Sequence, residues 1–280
     1  MDQYTYMNNV RIYTLFSSSS GNCHYLRLGE NELLIDAGKN AKAVCAALSS
    51  IGTDIKNIRS VYVTHEHSDH TSALRVLRKK NAGMTLHMHP LCADAMADSG
   101  IDMAGCVRIS EGETLDEDGV RIRAFGVCHD SRACLGYRIE YTEGDESVRI
   151  GIATDIGHLT CEVAEGLLGC DYVIVESNHD PEMLKTGPYP DYLKVRIFSP
   201  SGHLQNESCA KLCSYLSKLG THGIMLAHIS KENNDPALAL KLTEDAVANG
   251  AVTVRCARPD TPVCLYESNN CTERLSECSR

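Results

Sequence analysis

The sequence lacks any apolar run long enough to cross a membrane, because its longest apolar runs have the length of a β-strand. The first ten residues, MDQYTYMNNV, lack the basic start and the apolar core of a secretory signal. No internal repeat and no low-complexity linker divides the 280 residues. We therefore expect one cytoplasmic globular domain over residues 1–280, with no membrane contact and with a frayed polar tail at 268–280.

The fourteen cysteines include no CxxC pair, so their spacing does not support a zinc ribbon or an iron–sulfur site. A disulfide framework is typical of small secreted domains, whereas this chain is long and has no secretory signal. Several cysteines lie in apolar runs and are predicted to pack as small hydrophobic residues: Cys45, Cys213, Cys256 and Cys264. A reducing compartment suits so many free thiols.

Positive charge is scarce, because 27 Lys and Arg residues against 37 Asp and Glu residues give a net charge of −10. This balance argues against broad electrostatic attraction to nucleic acid. It does not exclude a nuclease, because bound divalent metals reverse the local field at a site. Charge alone leaves the substrate class open.

The most informative segment is HEHSDH at residues 65–70, which follows an apolar β-branched run and precedes helical periodicity. In an extended segment His65 and His67 project to the same side, and a helix start brings Asp69 and His70 close together. So many polar side chains are costly to bury without partners, and a metal ion supplies such partners. The alternative is a solvated histidine-rich loop, which suits a stray HxH better than this complete cluster.

Ionisable residues also recur at the ends of apolar strands. Five runs show this pattern, LLID, VYVTH, IGIATD, YVIVE and IMLAH, and they end at Asp36, His65, Asp155, Glu176 and His228. In α/β proteins, ligand sites lie at the edge of the sheet that the C-terminal ends of its strands form. The pattern predicts one shared site.

Period-two and period-3.6 patterns predict an α/β protein with short strands and intervening helices. The predicted strands span residues 11–16, 24–29, 32–36, 61–65, 85–89, 120–127, 134–141, 149–154, 172–176, 224–228, 252–256 and 263–266. Helical periodicity appears at 44–51, 210–216 and 238–246, with helix starts at Asn206 and Pro236. Residues 185–200 show three prolines and no clear period, and we interpret them as an excursion over the mouth of the site.

In their order along the chain, the polar residues resemble the five motifs of the metallo-β-lactamase superfold. The five positions are Asp36, the cluster at 65–70, His129, Asp155 and His228. The details resemble its YycJ/WalJ-like branch of bacterial metallohydrolases, through residues 18–23 (SSSGNC), 129–130 (HD), 136–137 (GY), 176–180 (ESNHD), 189–190 (YP), 193–194 (LK), 196–197 (RI), 201–204 (SGHL) and 228–234 (HISKENN). The resemblance implies a four-layer αβ/βα sandwich with two divalent metals in the cleft between the sheet edges. Zinc is the first candidate, with manganese and iron as alternatives.

The resemblance also implies roles for individual residues. The first metal would be held by His65, His67 and His129, the second by Asp69, His70 and His228, with Asp155 bridging both. A bridging carboxylate offsets the repulsion of two cations roughly 3.5–4 Å apart, and a hydroxide held between them is a strong nucleophile. Asp36 would orient a ligating histidine. Because both Asp69 and Asp155 are present, two metals are favoured over one.

His203 lies in a Ser-Gly-His turn that resembles the mobile histidine of nuclease members, and Glu176 is placed to orient it. We predict Asp69, His203 and Glu176 as catalytic residues, although His203 could instead cap a loop. The roles of Asn178 and His179 stay open, and five histidines fit no ligand position: His24, His87, His89, His158 and His222. Residues 18–22 could offer backbone amides to a phosphate or form a plain hairpin.

The leading interpretation is a metal-dependent hydrolase of phosphodiesters with nucleic acid as substrate, and the resemblance implies a DNA exonuclease. The spacing of 73 positions from Asp155 to His228 leaves no room for a large nucleic-acid-clamping insertion. Two alternatives stay open. One is a small ester, lactone or thioester hydrolase on the same dinuclear site, and the other is a binding role for a structural metal, which the open positions of a seven-ligand site disfavour.

Overall fold

The structure is a computed structural model that describes residues 9–247 and 251–268. Within these ranges the chain forms strands β1 Val10–Phe16, β2 Cys23–Leu28, β3 Asn31–Ile35, β4 Ile58–Tyr62, β5 Thr85–Met88, β6 Val107–Arg108, β7 Thr114–Glu117, β8 Val120–Val127, β9 Cys134–Glu143, β10 Glu146–Ala153, β11 Tyr172–Glu176, β12 Gly223–Ala227, β13 Thr253–Cys256 and β14 Val263–Glu267. The helices are α1 Ala41–Ser50, α2 Ser68–Thr71, α3 Leu74–Lys80, α4 Pro90–Asp98, α5 Cys161–Leu167, α6 Pro181–Thr186, α7 Asp191–Phe198, α8 Asn206–Ser217 and α9 Pro236–Val247.

The strands form two seven-stranded sheets, ordered β14-β1-β2-β3-β4-β5-β6 and β13-β12-β11-β10-β9-β8-β7. A central core lies between the sheets and combines Ile12 and Tyr62 of the first with Ile139 of the second. A second core joins the outer face of the first sheet to α1, α3 and α4, and a third joins the other sheet to α5, α8 and α9. These three cores confirm the predicted four-layer αβ/βα sandwich.

Strand composition follows this layering. In β8 the apolar residues Val120 and Ile122 point into the central core, while Arg121 and Arg123 between them are exposed. Strands β11 and β12 are parallel neighbours inside the second sheet and are apolar on both faces. Parallel strands covered by layers on both sides require such continuous apolar runs, and their polar residues are therefore displaced to the strand ends.

Three polar residues leave their strands with the same unusual backbone. Asp36, Asp155 and His228 have positive φ values of 62°, 58° and 53°. Asp and His are among the few residues other than glycine that adopt this left-handed conformation at moderate cost, and such residues cluster at functional sites. The conformation turns the chain sharply just after β3, β10 and β12.

The structure corrects two predicted elements. The strand expected at 61–65 ends at Tyr62, so His65 lies in the loop between β4 and α2 rather than at the end of the strand. Residues 185–200 hold helix α7 and the end of α6 instead of an irregular excursion. Pro188 and Pro190 precede α7, and its periodicity is weak because several of its apolar side chains are exposed.

The C-terminal tail predicted at 268–280 lies outside the described residues, except for Ser268. That residue is buried, and its hydroxyl accepts a hydrogen bond from the Val10 N–H (3.0 Å). Among the described helices, each falls short of the length and apolar character needed to cross a membrane.

His87 is expected to make the protein less stable in mild acid. It is buried against Tyr62, with ring centroids 4.2 Å apart, and neither ring nitrogen has a hydrogen-bond partner. Burial lowers its pKa to about 4. Between pH 6.5 and 4 the unfolded chain binds a proton that the folded chain excludes, so stability falls as pH falls. Between pH 7.5 and pH 5, the titration of His87 lowers the free energy of unfolding by about 2 kcal/mol.

Urea unfolding at the two pH values checks this prediction. His87→Phe keeps the ring stacking and removes the titrating group, so its stability should fall by about 2 kcal/mol less than that of the wild type on acidification. His222→Gln, at an exposed position, controls for the loss of a histidine as such. Equal acid sensitivity of the wild type and His87→Phe would contradict the assignment.

Candidate metal centre

The loop between β4 and α2 gathers the first cluster of ligand-type side chains. His67 precedes α2, which places Asp69 and His70 in the first helical turn. The Thr71 hydroxyl donates to the His67 carbonyl (2.9 Å) and fixes this entry. The ring of His65 lies 4.6 Å from that of His67 and 4.1 Å from that of His70. The segment thus places three imidazoles side by side.

Asp36 fixes this loop through hydrogen bonds to its carboxylate. Its carboxylate accepts hydrogen bonds from the Thr64 N–H (2.8 Å), the Thr64 hydroxyl (2.9 Å) and the Nδ1 of His70 (2.7 Å). Because a carboxylate only accepts, Nδ1 of His70 carries the proton and Nε2 presents its lone pair to the centre. Burial raises the pKa of the Asp36 carboxyl, and its three donors oppose that shift.

The structure brings all seven predicted ligands to one place. Three sets have ligand atoms within 4.8 Å of one another: His65, His67 and His129; Asp69, His70 and His228; and His65, His70 and Asp155. Asp155 lies between the first two sets, because one carboxylate oxygen is 3.3 Å from Nε2 of His70 and the other 3.7 Å from Nε2 of His129. This is the geometry of two three-residue sets joined by one carboxylate.

Partners behind the rings orient His129 and His228. Nδ1 of His129 donates to the carbonyl of Gly202 (3.1 Å), and Nδ1 of His228 donates to Glu176 (2.7 Å). As with His70, each bond leaves Nε2 for the centre. Ligating histidines in metalloproteins have the same arrangement, a second ring nitrogen held by a carboxylate or a carbonyl.

Several atoms that face the centre are buried without a hydrogen-bond partner. They are Nε2 of His65, Nε2 of His228 and Oδ2 of Asp155. Leaving such groups unpaired costs on the order of 1–3 kcal/mol each, and all three belong to the ligand sets of the cleft. Divalent cations held by these sets would satisfy them, and nitrogen with carboxylate donors suits zinc, manganese and iron. The residues therefore fit a metal centre.

The charges of the centre are strongly coupled. Burial alone would raise the pKa of Asp155, but the histidines around it hold that pKa well below its usual value. Burial lowers the pKa of His228, but Asp155, Asp69 and Glu176 outweigh burial and raise it to about 10. In the absence of metal, His228 therefore carries a second proton, on Nε2, and a cation that binds there displaces that proton.

His203 and Glu176 lie beside this centre. Nδ1 of His203 donates to Oε1 of Glu176 (2.9 Å), the same oxygen that holds His228. The other oxygen accepts the N–H groups of Ile156 (2.7 Å) and Leu204 (3.0 Å), so Glu176 has a fixed orientation. His203, Glu176, Asp155 and His228 also form a compact set of ligand-type atoms.

Sequence reasoning missed one residue at the centre. Asn22 is buried, and its amide nitrogen lies 3.1 Å from Nε2 of His70 and 3.5 Å from Oδ2 of Asp69. The same amide group also bonds to the carbonyl of Ser18 (3.0 Å). The only local signal was the SSSGN turn, which indicated a phosphate loop or a hairpin and not a contact with a metal ligand.

Asn178 and His179, whose roles the sequence left open, lie in different surroundings. The Asn178 amide donates to the carbonyl of His228 (2.8 Å), which fixes the loop that carries this histidine. His179 is buried under Phe198, with ring centroids 5.2 Å apart and neither ring nitrogen paired. The histidines assigned no ligand position lie outside the ligand sets found in the described residues: His24, His87, His89, His158 and His222.

A family model described as the beta-lactamase superfamily domain matches residues 31–229. The chain belongs to this superfamily, and the matched range contains all seven predicted ligands. Within the superfamily, the chain is 36 % identical over 231 residues to the exodeoxyribonuclease WalJ of Streptococcus pneumoniae, which covers 80 % of this chain and 83 % of that protein. It is 32 % identical over 227 residues to the exodeoxyribonuclease YycJ of Bacillus anthracis, with coverage of 80 % and 84 %.

The fold itself has close structural counterparts. The crystal structure of the metallo-β-lactamase fold protein YhfI from Bacillus subtilis matches with a TM-score of 0.69, 14 % identity and coverage of 92 % of this chain and 100 % of that one. Together these findings confirm the predicted fold, the YycJ/WalJ-like branch and the class of metal-dependent hydrolase. The donor set also supports divalent metal binding.

Proposed function

We propose that this protein is a dinuclear metal-dependent phosphodiesterase that acts as a DNA exonuclease. The observation that carries the proposal is the pair of three-residue ligand sets with Asp155 between them, in a chain whose relatives are named exodeoxyribonucleases. The ester, lactone or thioester hydrolase is not favoured by these relatives. A single hydrolase domain and a cytoplasmic location remain predictions.

The proposed ligands are His65, His67 and His129 for one metal and Asp69, His70 and His228 for the other, with Asp155 shared. Zinc is the first candidate, because these nitrogen and carboxylate donors form its usual environment, and manganese and iron suit the same donors. When bound, such cations lower the pKa of water and offset negative charge on a phosphate.

The side chains around the centre have distinct tasks in this proposal. Asp69 would serve both as a ligand and as a fixed negative charge at the centre. Glu176 holds Nδ1 of His203, so Nε2 of His203 is left for the substrate, and the doubly protonated ring can donate from Nε2 to a phosphate oxygen or to the leaving oxygen. Because Glu176 also orients His228, it couples the metal centre to this acid.

Four substrates compared side by side test the function: bis-p-nitrophenyl phosphate, a nitrophenyl ester, a thioester and an end-labelled oligodeoxynucleotide. The metal-loaded protein should hydrolyse the phosphodiester and shorten the oligonucleotide from one end. Turnover of the ester or thioester with no cleavage of either phosphodiester would overturn the proposal and favour the alternative class.

Four basic residues stand near the motifs in the sequence, Lys185, Lys194, Arg196 and Lys231, and the first three lie on α6 and α7. Arg196 forms a forked ion pair with Asp130, whose Oδ1 is 3.3 Å from Nε2 of His129. Lys194 donates to the carbonyl of Lys185 (2.9 Å), which joins the two helices. Lys231 is exposed three residues beyond His228. Arg196 is thus connected to the proposed ligand His129 through Asp130.

Neutralising Lys194 and Arg196 together, each to Gln, should weaken the binding of single-stranded DNA and flatten its salt dependence. If each cation meets one phosphate, the slope of log K against log salt falls by about 1.4. Fluorescence anisotropy across a salt series measures this slope. The exposed pair Lys211, on α8, and Lys218, at the C-cap of α8, changed in the same way, is the matched control for net charge. If the slope of log K against log salt is the same in both variants, Lys194 and Arg196 do not contact DNA phosphates.

A further inference from the structure

The turn between β1 and β2, residues 17–22, packs against one half of the metal centre. Its sequence is SSSSGN, and the first and last residues, Ser17 and Asn22, are buried with 2 % and 0 % exposure. The Ser17 hydroxyl donates to Oδ1 of Asn22 (3.1 Å), so the two side chains act as a pair. Buried polar groups need such partners, and the further hydrogen bonds of this pair reach proposed metal ligands.

Asn22 contacts two ligands of the second set. Its backbone N–H donates to the Asp69 carbonyl (2.8 Å), and its side-chain nitrogen lies 3.1 Å from Nε2 of His70 and 3.5 Å from Oδ2 of Asp69. Nε2 of His70 has one lone pair, so with a cation bound there Oδ2 of Asp69 is the acceptor left to this amide. That oxygen lies 3.4 Å from Nε2 of His70 and 3.6 Å from Nε2 of His228. The amide therefore holds Asp69 where the three ligands meet.

Ser17 holds the third ligand of the same set. Its hydroxyl oxygen accepts the backbone N–H of His228 (2.7 Å), which lies 211 positions further along the chain. The backbone of His228 has a φ of 53°, a conformation that persists only where surrounding contacts fix it. Through Ser17 and Asn22, the turn thus reaches all three proposed ligands of the second metal.

The first ligand set is supported elsewhere. In the part of the chain that the structure describes, no hydrogen bond joins the turn to the ligands of the first set, His65, His67 and His129. The loop that carries His129 is held instead by Glu66, whose Oε1 accepts the N–H of Arg132 (2.8 Å). The two sets therefore depend on different segments of the chain.

We propose that the turn is a support for the second metal alone, with Ser17 and Asn22 as its positioning residues. They hold the three ligands of that metal in place and contact none of the ligands of the first. The inference rests on the dinuclear site of the proposed function and adds a difference between its two metals. Losing a hydrogen-bond partner of a metal ligand typically costs about 10- to 100-fold in metal affinity.

Calorimetric titration of the chelator-treated protein with Zn²⁺ tests this inference. The wild type should bind two equivalents. In Asn22→Ala and in Ser17→Ala, one equivalent should bind as in the wild type and the other about 10- to 100-fold more weakly. Ser18→Ala is the matched control, because the Ser18 hydroxyl lies in the same turn but bonds only to Ser20. This variant should bind both equivalents as the wild type does.

Two double variants identify the metal that is weakened. His67→Ala removes a ligand of the first set, so Asn22→Ala combined with it should leave no tightly bound Zn²⁺. His228→Ala removes a ligand of the second set, so adding Asn22→Ala to it should leave the affinity of the remaining equivalent unchanged. The reverse pattern would assign the turn to the first metal and would overturn the inference.

The outcomes also separate this inference from the proposed function. Two equivalents of wild-type affinity in both Asn22→Ala and Ser17→Ala would overturn it. Equal weakening of both metals would overturn it as well, because that result is expected of a turn that merely stabilises the fold. A wild type that binds two metals but cleaves no phosphodiester would overturn the nuclease function and leave this inference standing. A wild type with fewer than two metals would overturn the dinuclear site itself, before any variant is compared.

Discussion

Asp155→Asn should bind far less metal than the wild type and lose phosphodiesterase activity on the order of 10³-fold or more. The carboxylate lies between both ligand sets, and a neutral amide no longer offsets the repulsion between two cations. Asn is the sharper replacement than Ala, because position 155 has a φ of 58°, which Asn tolerates and Ala does not. Elemental analysis of metal per chain measures the first effect, and hydrolysis of bis-p-nitrophenyl phosphate measures the second.

A matched control is available elsewhere in the chain. Asp118 also has a positive φ (50°), but it is exposed and pairs with Arg59 at the surface. Asp118→Asn should keep full metal content and activity. The wild type should unfold at a lower temperature after chelation, because bound metal stabilises the folded state, and Asp155→Asn should show little of this shift. A full complement of two metals in Asp155→Asn would rule out the bridging role.

His203→Ala should keep its metals and its fold but lose about 100-fold in phosphodiester turnover, as expected for one lost transition-state donor. The structure makes this test demanding, because His203 also belongs to a compact set with Asp155, Glu176 and His228. If His203 were a ligand, metal content would fall together with activity. If it is the acid or the charge-stabilising donor, only activity falls. The pair of measurements therefore decides between the two roles.

His158→Ala is the control for this second prediction. His158 is exposed and hydrogen-bonds through Nδ1 to the carbonyl of Pro200 (2.7 Å), in the loop that carries His203, but it belongs to no ligand set. It should retain wild-type turnover. An activated nitrophenyl diester needs little leaving-group protonation, so a loss in His203→Ala on the oligonucleotide alone would assign His203 as the acid. Unchanged activity of His203→Ala on both substrates would exclude any catalytic role.

Much of the centre was visible in the sequence because its residues sit at fixed places relative to apolar runs. Asp36, Asp155, Glu176 and His228 each follow or end a buried strand, and parallel strands bring those ends to one edge. The HEHSDH segment added four more polar side chains at a helix start. Local patterns of this kind place six of the seven proposed ligands in one site, because each depends only on strand periodicity and on donor chemistry, whereas His129 was assigned only through the family resemblance.

Other features depend on contacts between distant segments. Asn22 reaches His70 across 48 residues, and Arg196 reaches Asp130 across 66. The bond from His203 to Glu176 was suggested only by family resemblance. A helix whose apolar side chains face solvent, like α7, has no clear period, so its sequence resembles a loop.

The sequence by itself determined the fold class and most of the candidate ligands, because burial in a layered sandwich imposes apolar strands and displaces ionisable residues to their ends. Only the tertiary structure decided which ring nitrogen faces the centre, which carboxylate serves two histidines, and where the aromatic and basic side chains of α7 lie relative to the centre. These features depend on where side chains point in space. Hydrogen bonds between remote strands and loops fix those directions, and spacing along the chain does not predict them.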